Sequence, residues 1–211
     1  MNIEDKIKGG TQFRDFSALT PQEDMIVEGY ATTFDSPYLL YRDGDYEVWE
    51  QVDKDAFAEA DLHDVVMQYD HQGRVFARNT NGTLTLRADD TGLHVSALLG
   101  GTELGRQLYE EIKGGYTNKM SFGFTVDEDK REITEEGDNV RIMRTILKIG
   151  RLYDVSAVSI PANDGTSISA RSLGVECIEE ATEEVRKRNE RLEQIKRIRE
   201  LTEVKYEREN D

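Results

Sequence analysis

Three side chains stand out as possible chemistry: Ser121, His71 and Asp154. In Lys119-Met120-Ser121-Phe122-Gly123-Phe124-Thr125-Val126, alternation with a period of two places Met120, Phe122, Phe124 and Val126 on one face of a strand. Ser121, Gly123 and Thr125 share the other face, and the glycine clears space beside the serine for another chain to approach. The plain structural alternative is a half-buried strand whose polar face carries a serine. As a nucleophile at neutral pH, serine needs a base to take its proton, and histidine is basic enough while largely neutral. Of the three histidines, His63 sits among Asp61, Leu62 and Asp64, a loop composition, and His94 is a cross-strand position in a hairpin. His71 ends the strand Val65–Tyr69, where side chains gather at a sheet rim, and is the favoured base. The imidazole then needs a carboxylate to hold its tautomer. Asp70 is its neighbour in sequence and should point to the opposite face. Asp154 is the only charged residue in Leu152-Tyr153-Asp154-Val155-Ser156-Ala157-Val158, and a carboxylate there costs stability unless paired. Its alternative partner is Arg151 or another core arginine.

The elements that must position these residues are mainly strands. Met25–Ala31, Tyr46–Val52, Val65–Tyr69, Lys119–Val126 and a long run from Val140 to Ile160, interrupted at Gly150, have strand patterning. Leu84–Arg87 and Leu93–Leu98 flank Asp89-Asp90-Thr91-Gly92, the pattern of a hairpin. Thr102–Ile112 carries apolar residues at 104, 108, 109 and 112, which is helical spacing, and Gly114-Gly115 stops it. Asp55–Ala60 predicts a short helix, Asp127–Asn139 an acidic loop, and Pro161 an end to the strand region. The fold class expected is α+β, with a strand-rich, β-barrel-like core. Three parts follow: a loose polar lead-in over 1–24, a core over 25–172, and a charged helical tail over 173–211. In the tail Ile178, Ala181, Val185, Leu192 and Ile195 recur at intervals of three, four or seven, as in an amphipathic helix that packs on the core or on a partner. A solvated terminal helix is the plain alternative.

Composition narrows the function classes. The chain has 211 residues, 37% hydrophobic and 33% charged, with a formal net charge of −16. Such a surface repels nucleic acid and anionic membrane, so neither is an expected partner. No apolar run follows the first charged residues as in a secretory signal, and none is long enough to span a bilayer. One cysteine, Cys177, cannot form an internal disulfide, and three histidines argue against a His-rich metal site. No metal or cofactor is expected.

Several segments resemble the tailed-phage prohead protease family, which is distantly similar in fold to the herpesvirus maturational protease. Gly29-Tyr30-Ala31 followed by Phe34 is similar to its opening, and Tyr69-Asp70-His71 with Gly73-Arg74 to the segment that supplies its base. Thr91–Val95 resembles its Gly-Leu step into a strand, and Lys119–Phe124 its nucleophile strand. Leu152–Val158 followed by Pro161-Ala162-Asn163 resembles its Leu-Xaa-Glu-Val-Ser block, although this chain has Asp154 where the family most often has Glu. The resemblance covers roughly 25–172 in the right order. It implies a serine endopeptidase with Ser121 as nucleophile, His71 as general base and Asp154 as the orienting acid. The implied substrates are the scaffolding segment of the major capsid protein and the protease itself, inside the assembling prohead in the host cytoplasm. Self-association as a dimer is a further implication of the related fold, and the charged helix after about 175 itself suggests a tether to scaffold during assembly. The rival class is a non-catalytic capsid assembly or scaffolding protein with the same fold. A cysteine protease using Cys177 is a third option.

Overall fold

Two long strands organise the chain, and their alternation explains most of the core. The computed structural model describes residues 12–137, 139–159 and 168–209. In chain order the strands are β1 (Gln12–Ala18), β2 (Thr20–Pro21), β3 (Ile26–Thr33), β4 (Tyr38–Asp43), β5 (Tyr46–Val52), β6 (Val66–Tyr69) and β7 (Gln72–Arg78). Then come β8 (Leu84–Ala88), β9 (Gly92–Leu98), helix α1 (Glu103–Lys113), β10 (Lys119–Glu136), β11 (Asn139–Val158) and helix α2 (Ile168–Glu209). β10 and β11 form one antiparallel hairpin. Along its far edge β11 is parallel to β5 over residues 140–146 and parallel to β6 over residues 154–157. With β1 beside β10, β4 beside β5 and β7 beside β6, this makes a seven-stranded sheet. A second, antiparallel sheet has the order β2-β3-β9-β8.

The chain is therefore strand-rich α+β as expected, but the strands form two sheets and no closed barrel among the described residues. Closure is prevented because β10 and β11, 18 and 20 residues long, overrun the core, and β11 divides its edge between two parallel partners. Met120, Phe122, Phe124, Val155 and Ala157 share one buried cluster with Val27, Ala31, Leu93, Val95 and Ala97 of the second sheet. A smaller cluster joins α2 to the first sheet through Leu40, Val48, Val140, Ile142, Cys177 and Ala181.

Five local expectations change. Gln12–Ala18, read as loose lead-in, is a strand paired with β10. Among its described positions Arg14 is buried, a charge where a core residue is expected, and its guanidinium is bonded to Glu50 of β5. Asp55–Ala60 is a succession of turns, not a helix, with Ala56, Ala58 and Ala60 N–H groups bonded three residues back. Asp127–Asn139 is no loop but the paired end of the β10–β11 hairpin. Its half-buried positions are Asp129, Arg131 and Ile133, at strand spacing but mostly charged. Asp129 is satisfied there by Arg144 and Arg131. Finally, β11 runs on through Gly150, where a Cβ would lie 2.2 Å from Asp127 Oδ1. α2 already begins at Ile168, inside the range read as core, whereas Pro161-Ala162-Asn163 lies outside the described residues.

Gly92 is required by the close approach of a neighbouring backbone. A Cβ on Gly92 would sit 1.9 Å from the Thr32 carbonyl oxygen, in the β3–β9 pairing. Gly92→Ala should therefore force the sheet apart and destabilise the fold by about 1–3 kcal/mol or more, read as a lower midpoint in urea.

Candidate active site

The three residues singled out in the sequence meet where β6, β10 and β11 lie side by side. In the β10–β11 ladder Ser121 is opposite Ser156, and Gly123 is opposite Asp154. The register then shifts between Gly123 and Phe124, so that Phe124 faces Leu152. That irregularity lets Leu152 join the apolar core while Asp154, two residues on, faces the site. β6 enters from the other side of β11, with Val66 opposite Asp154 and Tyr69 opposite Ala157.

His71 reaches this row from a hairpin turn. Tyr69 and Gln72 are paired across β6 and β7, and the two residues between them, Asp70 and His71, both have positive φ, 47° and 59°. Two left-handed residues in a two-residue connection make a turn of type I′, whose twist suits a hairpin. Asp70 anchors the turn to the end of β11. Its N–H donates to the Ala157 carbonyl at 2.9 Å, and its carboxylate accepts from the Ser159 N–H at 2.9 Å and from the Ser159 hydroxyl. The expectation that Asp70 is not the imidazole's partner holds, though the cause is the turn rather than strand alternation.

From that turn the imidazole bridges the other two residues. His71 Nε2 lies 2.6 Å from Ser121 Oγ, and Nδ1 is hydrogen-bonded to Asp154 Oδ1. Asp154 Oδ1 also accepts from Ser156 Oγ at 2.8 Å. Ser121 and Asp154 are fully buried and His71 is 7% exposed. With Nδ1–H donated to the carboxylate, Nε2 is left as the acceptor for the Ser121 hydroxyl proton. This arrangement can carry nucleophilic acyl transfer. Ser156 was not anticipated, although its place two residues after Asp154 on one strand, and hence on the same face, was a usable signal.

The alternatives lie elsewhere. His63 is exposed, with its own N–H bonded to Asp61. His94 packs edge-on against Tyr30, with ring centroids 5.2 Å apart. Arg151 pairs with Asp61 at 3.5 Å and lies over the Tyr153 ring, not with Asp154. Cys177 belongs to the small cluster under α2, and burial pushes its thiol up from its ordinary pKa, a setting for an inert cysteine. Among the described residues no group of three His, Cys, Asp or Glu is placed to hold a metal ion.

A second polar cluster braces the same sheet. Glu50 is fully buried and bonded to Arg14, Arg144 and Tyr38, which bring together β1, β11 and β4 around β5. Burial alone would raise the Glu50 carboxyl, but Arg14 and Arg144 outweigh it and hold its pKa at about 2. Since Arg14 is opposite Phe122 on β10, the cluster fixes β1 against the strand that carries Ser121.

A strand-borne serine, hydrogen-bonded to a histidine that a carboxylate holds, is the arrangement of a serine-type hydrolase. The family follows from the sequence match: a model of the Caudovirus prohead serine proteases matches residues 14–180, and the chain belongs to that family. The match begins within β1 and ends within α2. Among solved structures, the capsid assembly protease of bacteriophage T4, gp21, is similar at 12% identity, with a TM-score of 0.42, over 72% of this chain and 98% of that one. No match is found among the curated proteins.

Proposed function

We propose that this chain is the prohead maturation protease of its phage, with Ser121 as nucleophile, His71 as general base and Asp154 as the carboxylate that orients it. The observation that carries the reading is the continuous Ser121–His71–Asp154 hydrogen-bond row, made by residues from three separate strands and turns. In the first step Ser121 Oγ attacks the scissile carbonyl carbon while Nε2 of His71 takes its proton. The imidazolium gives that proton to the departing amine as the C–N bond breaks, leaving an acyl-enzyme. Water, deprotonated by His71, attacks the ester and restores the serine. Asp154 stabilises the imidazolium without becoming protonated. Because Ser121 is fully buried, the polypeptide to be cut must displace what covers it.

The substrates in this reading are the scaffolding segment of the major capsid protein and the protease itself, inside the assembling shell in the host cell. Self-association as a dimer and a fold related to the herpesvirus maturational protease belong to the same reading. Co-expression of wild type or Ser121→Ala with the major capsid protein of the same genome, read as intact masses, tests it. Cleavage products in wild type alone are expected. Intact, assembled capsid protein with both would instead favour a non-catalytic assembly role.

Ser156 contributes a hydrogen bond to a buried carboxylate, of a kind worth about 1.5–3 kcal/mol when one partner is charged. It acts on the reaction only through Asp154. Ser156→Ala should lower kcat about threefold to tenfold at little-changed KM, and Ser156→Thr should restore most of the loss.

A further inference from the structure

The imidazole of the site is carried by the tip of a hairpin rather than by the body of the sheet. β6 is four residues long and joins β11 through four residue pairs, from Val66–Asp154 to Tyr69–Ala157. Among the described strands β7 pairs with β6 alone, so the hairpin forms an edge of the sheet. His71 lies beyond the last of those pairs, yet its Nε2 has to stay within hydrogen-bonding reach of Ser121 Oγ, at 2.6 Å. The turn conformation is unfavourable in itself. Asp70 and His71 both have left-handed backbones, with φ of 47° and 59°, and the histidine stands at the second turn position, where glycine is usual. Such a conformation persists only where neighbouring contacts over-determine it.

Those contacts converge on Asp70. Its N–H is bonded to the Ala157 carbonyl, and its carboxylate accepts from the Ser159 N–H at 2.9 Å. The Ser159 hydroxyl lies 3.0 and 3.2 Å from the two carboxylate oxygens. These bonds carry the junction with β11 past the last ladder pair, to the residue that follows the strand. β11 also bears Asp154 and Ser156, so the clamp ties the base to the strand that supplies its carboxylate. Asp70 itself is half-buried and Ser159 exposed, outside the apolar core. Removing the carboxylate therefore disturbs the tip of the hairpin without opening a cavity.

We propose, resting on the serine-protease reading above, that Asp70 is a positioning residue: its carboxylate clamps the hairpin tip to Ser159 and so holds the His71 imidazole between Ser121 and Asp154. It acts on the reaction only through His71. The full chain is compared as wild type, Asp70→Gly and Asp70→Asn. Glycine accepts the left-handed backbone and deletes the side chain, so its defect reports the clamp and not turn strain. Asparagine also tolerates that backbone, keeps an oxygen for the Ser159 N–H and offers an amide to the hydroxyl. Labelling of Ser121 by a fluorophosphonate, followed against reagent concentration, separates the maximal rate from the half-saturating concentration. The maximal rate should fall about 10–100-fold in Asp70→Gly, as for a base displaced by about 1 Å, with half-saturation within about threefold. Asp70→Asn should recover to within about fivefold of wild type. The low-field proton resonance of His71 Nδ1–H, assigned by its absence from His71→Ala, should broaden or vanish in Asp70→Gly and persist in Asp70→Asn. Unchanged labelling in Asp70→Gly, a loss that asparagine does not recover, or a loss matched by a smaller folded fraction in urea titration would overturn the proposal. So would a low-field resonance unaltered in Asp70→Gly. Absence of labelling in wild type would sink the protease reading, and the resonance would then decide alone whether Asp70 places the imidazole.

Discussion

Replacing His71 with alanine should lower kcat for cleavage of the capsid substrate by about 10⁴-fold or more, while the protein folds as before. The size follows from the geometry. Nε2 at 2.6 Å is the only base placed at the Ser121 hydroxyl among the described residues, and an unassisted serine hydroxyl is a poor nucleophile. Asp154→Asn should cost about 10³–10⁴-fold through a different failure. An amide can donate to Nδ1 and so favours the tautomer that puts a proton on Nε2, where it blocks acceptance from Ser121. Single-turnover kinetics on purified variants, with circular dichroism as the folding control, check both. A His71→Ala enzyme within tenfold of wild type would remove the imidazole from the mechanism.

The second large effect is on stability, and Glu50 carries it. Glu50→Gln leaves Arg14 and Arg144, 1% and 2% exposed, without the carboxylate they share, and should destabilise the fold by about 3–5 kcal/mol. The dependence on pH has a definite sign. The Glu50 carboxyl is held at about 2 in the folded chain against an ordinary 4.5, so its contribution is complete above about 4.5 and is lost as pH falls through about 2. The stability gap between wild type and Glu50→Gln, measured by urea unfolding, should therefore be widest near neutrality and narrow between pH 4.5 and 2. A gap that does not change over that range would show that the network is not held by the ionised carboxylate. Because the same cluster ties β1 to β10, a folded fraction of the variant should also be a poorer enzyme.

How much of this was legible in the sequence depended on whether the signal was local. Tyr46–Val52 alternates cleanly and is β5; the apolar spacing of 104, 108, 109 and 112 is α1, capped by Thr102, whose hydroxyl accepts from the Gly105 N–H at 2.9 Å. Ser121 and Asp154 were visible because each is a polar residue in an apolar strand, and burial makes such a residue answer for itself. The elements that escaped are those whose inward positions are charged and are neutralised by distant partners. Arg14 needs Glu50, 36 residues away, and Asp129 needs Arg144. Without those partners in view, a strand reads as a polar tail or an acidic loop. The two-sheet architecture was hidden for a similar reason. Nothing local in Asn139–Val158 says that its first half will pair with β5 and its second half with β6.

The central claim is that Ser121 is a nucleophile activated by His71, and a covalent label tests it most directly. Wild type and His71→Ala would each be incubated with a fluorophosphonate, which phosphonylates activated serines, and the adduct mapped by peptide mass spectrometry. A single adduct at Ser121 is expected in wild type and none in His71→Ala. Labelling at Ser156, Ser159 or another serine, or capsid cleavage that persists in a preparation fully labelled away from Ser121, would contradict it.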